Sequence, residues 1–328
     1  MTLGVEALTR FQSGTESTPG TSVPATRIDY WDPGSYFKDN IENHKPAEAR
    51  NSYAKNYRSF LVKRNPALTG VKWSPCFETL VRYLQFGAKG AVTGGAGDAG
   101  TPPMYTYTFK RTVASNDLKH ATLEVGNNVQ EWDLEGSVLN RWDLKFTAGG
   151  AMEGTMDWLA LKATEASFTG SLSDTTPEDI NGAMATVYID DTTIGTTLAA
   201  YPLDLSFSHD NGWAQLHALV GQITAKENYR PQPSKADLEL KVAFDGVGEY
   251  DKFVSHTLRK IRLSCDGAII HDAVKSNLAL DWYGKWDAYD MGSDGGLHVA
   301  TIKGESFYNS TLGSDWQIVV KTSLASVP

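Results

Sequence analysis

Between Glu131 and Phe146 the chain reads EWDLEGSVLNRWDLKF, and apolar and polar residues alternate with a period of two. Trp132, Leu134 and Val138 fall on one side; Glu131, Asp133 and Glu135 fall on the other. Further on, Trp142, Leu144 and Phe146 oppose Arg141, Asp143 and Lys145. A β-strand sends successive side chains to opposite faces, so this spacing fits a strand with one apolar and one polar face. Runs of the same kind recur as GTMDWLALKA, ATVYID, YPLDLSFS, DLELKVAF, KIRLSC, NLALDWYGKW, LHVATIKGESFY and DWQIVVKTSL. Short strands with one wet face pair antiparallel, which predicts a mainly β chain built as an antiparallel sandwich or barrel. At 328 residues, two ordinary domains or one large β domain are expected.

One helix is signalled inside this pattern. Ser74 is placed to cap it, Pro75 suits its first turn and Gly87 ends it, while Phe77, Leu80, Val81 and Leu84 share a face. The run GAVTGGAGDAGTPP follows, and Gly95–Gly100 spell G-x-G-x-x-G. That pattern cradles a dinucleotide only between a preceding strand and a following helix. Here a helix precedes it and the alternating strand MYTYTFKRT follows, so a connecting loop is expected and no nucleotide site.

The first fifty-odd residues lack either period, and 29–58 reads as a long arm mixing charge with Tyr36, Phe37, Tyr53 and Tyr57. The second half echoes the first. Asn56-Tyr57-Arg58 leads to the strand LTGVKW and the helix CFETLVRYL; Asn228-Tyr229-Arg230 leads to LELKVAF and the helix-like GEYDKFVSH. Two tandem modules, 1–165 and 166–328, are therefore expected, each a sandwich with a flanking helix.

Motifs of catalysis are missing from the sequence. The seven histidines form no HExxH, and no GxSxG, GxxxxGK[ST] or EF-hand run occurs. Cys76 and Cys265 are isolated, which predicts neither a zinc site nor a disulfide and favours a reducing compartment. No enzyme, metal or cofactor is expected. The N-terminal MTLGVEALTRFQSGTES carries no signal-peptide pattern, and no run suits a membrane span. The formal charge of −9 argues against a phosphate clamp, because nucleic-acid affinity rests on Lys and Arg. Nine Trp and fourteen Tyr keep a carbohydrate-binding β-sandwich open as an alternative, although Trp132, Trp142 and Trp316 fall on apolar strand faces.

Taken in order, GTESTPGTSVPATR, LTGVKWSPCFETLVRYLQFGA, YTYTFKR, ATLEVGNN, LEGSVLNRWDLKF, GAMATVYIDDTTIG, LDLSFSHDNGW and VAFDGVGEYDKFVS resemble the tail tube (major tail) proteins of siphophages. The resemblance implies a structural virion protein of the tail, present in the host cytoplasm during assembly. It implies β-sandwich modules with a flanking helix, whose inner strands join across subunits into stacked rings through which DNA passes. Rings of six modules would need three copies of a two-module chain, with pseudo-sixfold symmetry, or six copies of a one-module chain. The implied partners are the chain itself, a tape measure, terminator and tip proteins, and duplex DNA passing without specific binding. On this reading Asp133, Glu135, Asp143, Asp204 and Glu239 are the expected acidic lining of the bore. Tyr36, Phe37, Tyr53 and Tyr57 are the expected contacts between rings.

Overall fold

The computed structural model describes residues 3–90, 92–111, 117–173 and 177–327. Met1, Thr2, Ala91 and Thr112, which belong to segments quoted above, lie outside these. The first half carries β1 (Arg10–Glu16), β2 (Arg27–Ile28), β3 (Phe37–His44), β4 (Phe60–Trp73), α1 (Phe77–Gly87) and β5 (Tyr105–Phe109). It continues with β6 (His120–Gly126), β7 (Glu131–Thr147), β8 (Glu153–Leu159) and β9 (Lys162–Ala166). The second half carries β10 (Ala185–Asp190), β11 (Pro202–Asp210), β12 (Ala214–Leu216), β13 (Glu227–Tyr229) and β14 (Lys235–Ala243). After α2 (Gly248–Val254) come β15 (Arg259–His271), β16 (Val274–Asp294), β17 (Leu297–Ser306) and β18 (Trp316–Thr322).

Eight strands form one unbroken antiparallel run in the order β3-β4-β8-β7-β11-β14-β17-β16. The two longest strands leave this run and enter a second layer. The first half of β7 pairs with β6 and β9, and its second half with β8 and β11. Likewise the first half of β16 pairs with β15 and β18, and its second half with β17. Gly136 marks the turning point of β7. It sits at φ +62°, where the register against β6 shifts, and a Cβ there would meet the Leu161 side chain at 2.6 Å.

α1 lies between the layers, packed on β7, β18 and β5. Its entry differs from the sequence expectation. Cys76, not Ser74, is the N-cap residue, and the Cys76 thiol lies 2.9 Å from the Thr79 hydroxyl. The expected end at Gly87 holds because the helix presses directly on β7. A Cβ at Gly87 would stand 2.7 Å from Leu139 and Trp142, and the Gly87 carbonyl accepts hydrogen bonds from Trp142 Nε1 and Asn211 Nδ2. The glycine run forms a loop as expected: Gly95 N–H donates to the Thr106 carbonyl, and Asp98 accepts from Gly100 and Met104 backbone N–H groups.

The 29–58 segment is more regular than its sequence suggests. β3 occupies residues 37–44 and pairs with β4, so the arm is a hairpin whose tip spans 45–59. Cross-strand pairing supplies the order that composition hides, because Lys38 to Asn43 carries polar residues on both faces, with Ile41 the single apolar one and exposed, and has no period of its own.

Where β7 meets β11, Trp142, Phe207, His209 and Trp316 form an aromatic cluster with ring centroids 4.9–5.9 Å apart. His209 is fully buried there, and burial together with the Arg111 charge holds its pKa down to about 3. The folded ring stays neutral while the unfolded one takes up a proton below its usual pKa near 6.5. Stability is therefore lost as pH falls from about 6.5 toward 3, by on the order of 3 kcal/mol at pH 4 from this group. Replacing His209 by Leu should lower stability at neutral pH yet shrink the loss between pH 6.5 and 4, as read from urea midpoints across that range.

Candidate functional site

The eight-strand run is polar on one face. Along β7 Arg141 and Lys145 are exposed and Asp143 half-exposed, while Trp142, Leu144 and Phe146 are buried beneath. Ser206 and Ser208 continue that face on β11, Asp237 and Glu239 on β14, and Lys303 and Glu305 on β17. Together with Glu153 and Thr155 of β8 and Asp287 of β16 they line a concavity of about 650 Å³. Six acids (Asp143, Glu153, Asp237, Glu239, Asp287, Glu305) stand against four bases (Arg141, Lys145, Lys235, Lys303), a surplus of two negative charges.

These charges are spread in short pairs. Asp143 takes a hydrogen bond from Thr155 at 2.8 Å and lies 3.4 Å from Arg141; Lys303 meets Glu239 at 3.1 Å, and Lys241 reaches Asp204 at 3.9 Å. Part-burial raises the Asp237 carboxyl, with Asp287 and Asp210 adding to it and Lys235 and Arg141 opposing. Such a surface is wet and weakly anionic, with no cationic stripe for a phosphate backbone to grip.

Three of the acids expected to share a surface do so: Asp143, Asp204 and Glu239. Asp133 and Glu135 do not join them. They belong to the first half of β7, where the 17–26 segment and β9 cover the polar side of the strand. Glu135 is buried and held by Lys162 at 3.0 Å and Thr164 at 2.7 Å, while Asp133 accepts from Ser22 at 2.9 Å. Alternation fixes which side chains share a face, and long-range cover decides whether water reaches it: Glu135 is closed off while Asp133 stays half-exposed. Glu16, Glu124 and Glu131 are buried beside them. Glu16 is held by the Gly20 and Gly136 backbone N–H groups and by Thr122, and Glu124 by backbone N–H groups of Ala25 and Thr169. Glu131 has no donor for either carboxyl oxygen among the described residues.

The run ends in two edges. Beyond β3 on one side, and beyond the second half of β16 on the other, no strand is paired among the described residues. Tyr36, at the β3 edge, is 57% exposed, whereas Phe37 tucks its ring 5.0 Å from Trp132. Tyr53 and Tyr57 sit apart from both on the exposed hairpin tip, where Arg50 lies over the Tyr57 ring. So the four expected contact aromatics split between a strand edge and a tip. A second tip, 217–226 between β12 and β13, exposes Leu219, Val220 and Ile223 and touches the first hairpin through the Arg64 N–H to Ile223 carbonyl bond. Sequence reasoning missed it, although Ala218 to Val220 is an apolar run ended by Gly221.

Seven of the nine Trp are buried, and Trp132 and Trp213 are half-buried, Trp213 lying under the Arg230 guanidinium. Among the described residues no helix is long and apolar enough to cross a membrane. Residues 6–296 match the family model described as Phage tail tube protein, whereas no curated protein gives a significant match.

Burial and the adjacent Asp133 and Glu124 charges push Glu131 up to about 8. It folds protonated, so its contribution is present in full below about pH 4.5 and is lost as pH rises through 8. Glu131→Gln should therefore leave stability near pH 5 little changed and raise it at pH 8.5 by on the order of 1 kcal/mol or more, a few degrees in Tm. Equal effects at both values would show that the carboxyl ionises freely in the fold.

Proposed function

The chain belongs to the phage tail tube protein family, a structural component of the virion tail that assembles with itself into a tube, and from that premise we propose that three copies close each ring of the tube and that rings stack around a bore that conducts duplex DNA. The observation that carries this reading is the eight-strand antiparallel run with a polar concave face and two open ends. An open edge of that length is a liability in a solitary particle and is removed by closure. Three such runs give a barrel of about twenty-four strands, and since 16–18 strands already leave an aqueous channel, this one is wide enough for a duplex.

Duplication supports the trimer over the hexamer. In the first half β4 pairs with β8, β8 with β7, and β7 with β6 and β9; in the second, β14 pairs with β17, β17 with β16, and β16 with β15 and β18. A helix follows β4 and β14 alike. Two modules divided near residue 165, each supplying four strands to the bore, account for that recurrence. Closed cyclic symmetry of three chains then gives sixfold pseudosymmetry.

The concave face becomes the wall. Asp143, Asp204 and Glu239 face the DNA there, and the small acidic surplus keeps the duplex hydrated and moving. The neighbouring tips at 45–59 and 217–226 meet the adjacent ring, with Tyr53, Leu219 and Val220 of the tips and Phe60 and Val62 at the start of β4 forming the apolar contact. The tape measure, terminator and tip proteins complete the tail, which is assembled in the host cytoplasm.

Electron micrographs of the concentrated purified protein should show filaments of uniform width, with three chains per ring in averages. A monodisperse particle at every concentration would overturn the reading, and six chains per ring would overturn the two-module trimer. Replacing residues 45–58 by a short turn should leave folded protein and rings that no longer stack; stacked tubes from that variant would remove the tip from the contact.

A further inference from the structure

We infer that residues 17–26 and 167–170 form a proton-operated cover: one proton kept on the Glu131–Asp133 pair holds it shut over the first half of β7, and loss of that proton lets it lift. Register fixes the face beneath. Gln12 of β1 lies opposite Glu124 of β6, Glu124 opposite Asp133 of β7, and Asp133 opposite Thr164 of β9. Residues two apart share a face, so Glu16, Glu124, Glu131, Asp133 and Glu135 stand on one side of these four strands. The segments that close over them read STPGTSVPAT and SFTG, without one ionisable side chain. They lie close: a Cβ at Gly14 would stand 2.5 Å from the Pro24 carbonyl oxygen.

An uncharged cover offers carboxylates only N–H and O–H donors. The Gly20 N–H serves Glu16 and the Ser22 hydroxyl serves Asp133. The Ala25 and Thr169 N–H groups both reach Glu124, so the two segments meet on one carboxylate. Glu135 has a cation of its own, Lys162, at 3.0 Å. Glu131 is left over. It is 3% exposed, neither of its oxygens receives a donor among the described residues, and the charges acting on it are those of Asp133 and Glu124. A cation or a proton would relieve it. Among the described residues no three Asp, Glu, His or Cys side chains are placed to hold a metal ion. A proton between Glu131 and Asp133 removes one charge and supplies the missing donor at once.

The remaining charged groups stand at the margins. Arg10 of β1 is exposed and lies over the Phe168 ring. His120 of β6 faces Glu16 at the far end, in a cavity it shares with Asp117, Lys119 and Arg230. Burial lowers His120, so its protonation loosens the cover only below about pH 6.5. Burial raises Glu16 and Asp133 as it raises Glu131, so the three carboxyls act with one sign. A carboxyl protonated under the cover and ionised in water draws the opening equilibrium upward as pH rises, until about pH 8, where the covered Glu131 also ionises. The hinge lies at Asp29 and Trp31. The Tyr83 hydroxyl donates to Asp29 at 2.6 Å and accepts from Trp31 Nε1 at 2.8 Å, so the motion ends before the β3–β4 hairpin.

Amide hydrogen exchange on the whole chain, expressed as protection relative to free peptide, tests this. The Gly20, Ala25 and Thr169 N–H groups should lose protection roughly tenfold between pH 6.5 and 8. Dilute urea should hardly change their exchange, because opening the cover bares little surface. Glu131→Gln keeps the shape and brings an N–H donor toward Asp133; it should flatten the pH dependence and leave the cover better protected at pH 8. Constant protection between pH 6.5 and 8 in the wild-type chain would overturn the proposal, as would an unaltered slope in Glu131→Gln. Cover amides that follow those of β18 in both pH and urea would overturn it too, since the segments would then open only with the whole fold.

Discussion

The ladder between β7 and β11 is the contact on which the rest of the molecule depends. It joins the two halves of the chain in one sheet, as the β5–β18 pairing also does, and a cluster of four aromatic rings gathers under it. Trp142, Phe207, His209 and Trp316 fill the space between that ladder and α1, and Asn211 ties the end of β11 to Gly87 and Leu139. A buried neutral histidine in such a cluster accepts the acid sensitivity that comes with burial in return for shape. An unpaired ladder here would leave several backbone donors and acceptors dry, each at about 1–3 kcal/mol.

Long strands that change layers explain how one sheet can be both a wall and a core. β7 and β16 each spend one half beside a polar concavity and the other half in a second layer. The change of environment alters what an acidic side chain means. Asp143 on the outer half is wet and paired with Arg141 and Thr155. Eight residues earlier Glu135 is dry, and its charge is met by Lys162 and Thr164. Glu131 has no such partners and holds a proton instead. Acids on one strand thus serve solvation at one end and packing at the other.

Much of this was legible in the residues. Period-two alternation located β5, β7, β8, β10, β11 and β14 to β18, and the face containing Trp142, Leu144 and Phe146 is the buried one. The glycine run was correctly read as a loop from its neighbours. What escaped was nonlocal. β3 has no amphipathic pattern because only its partner β4 orders it. On the first polar half of β7, Glu131 and Glu135 are dry and Asp133 half-covered, because the 17–26 segment, more than a hundred residues distant in sequence, lies beside them. Ser74 and Pro75 looked like a cap, yet the helix starts at Phe77 with Cys76 as N-cap. The family resemblance rested on the order of segments, which survives where single motifs do not.

Repetition within a chain has a consequence for assembly that repetition between chains does not. When two modules are covalently joined, their mutual contact forms at the high local concentration set by the linker, and so precedes any contact between chains. In the proposed ring the exposed counterparts, the β3 edge and the second half of β16, are left as the slower, concentration-dependent joint. Irregularity at that joint fits this order. The Asp32–Ser35 turn interrupts the β3 edge, with a charge inside it at Asp32 and another just beyond it at Lys38, as in edge strands that resist premature pairing. In the proposed ring, the internal ladder sets the geometry first and the outer ladder copies it.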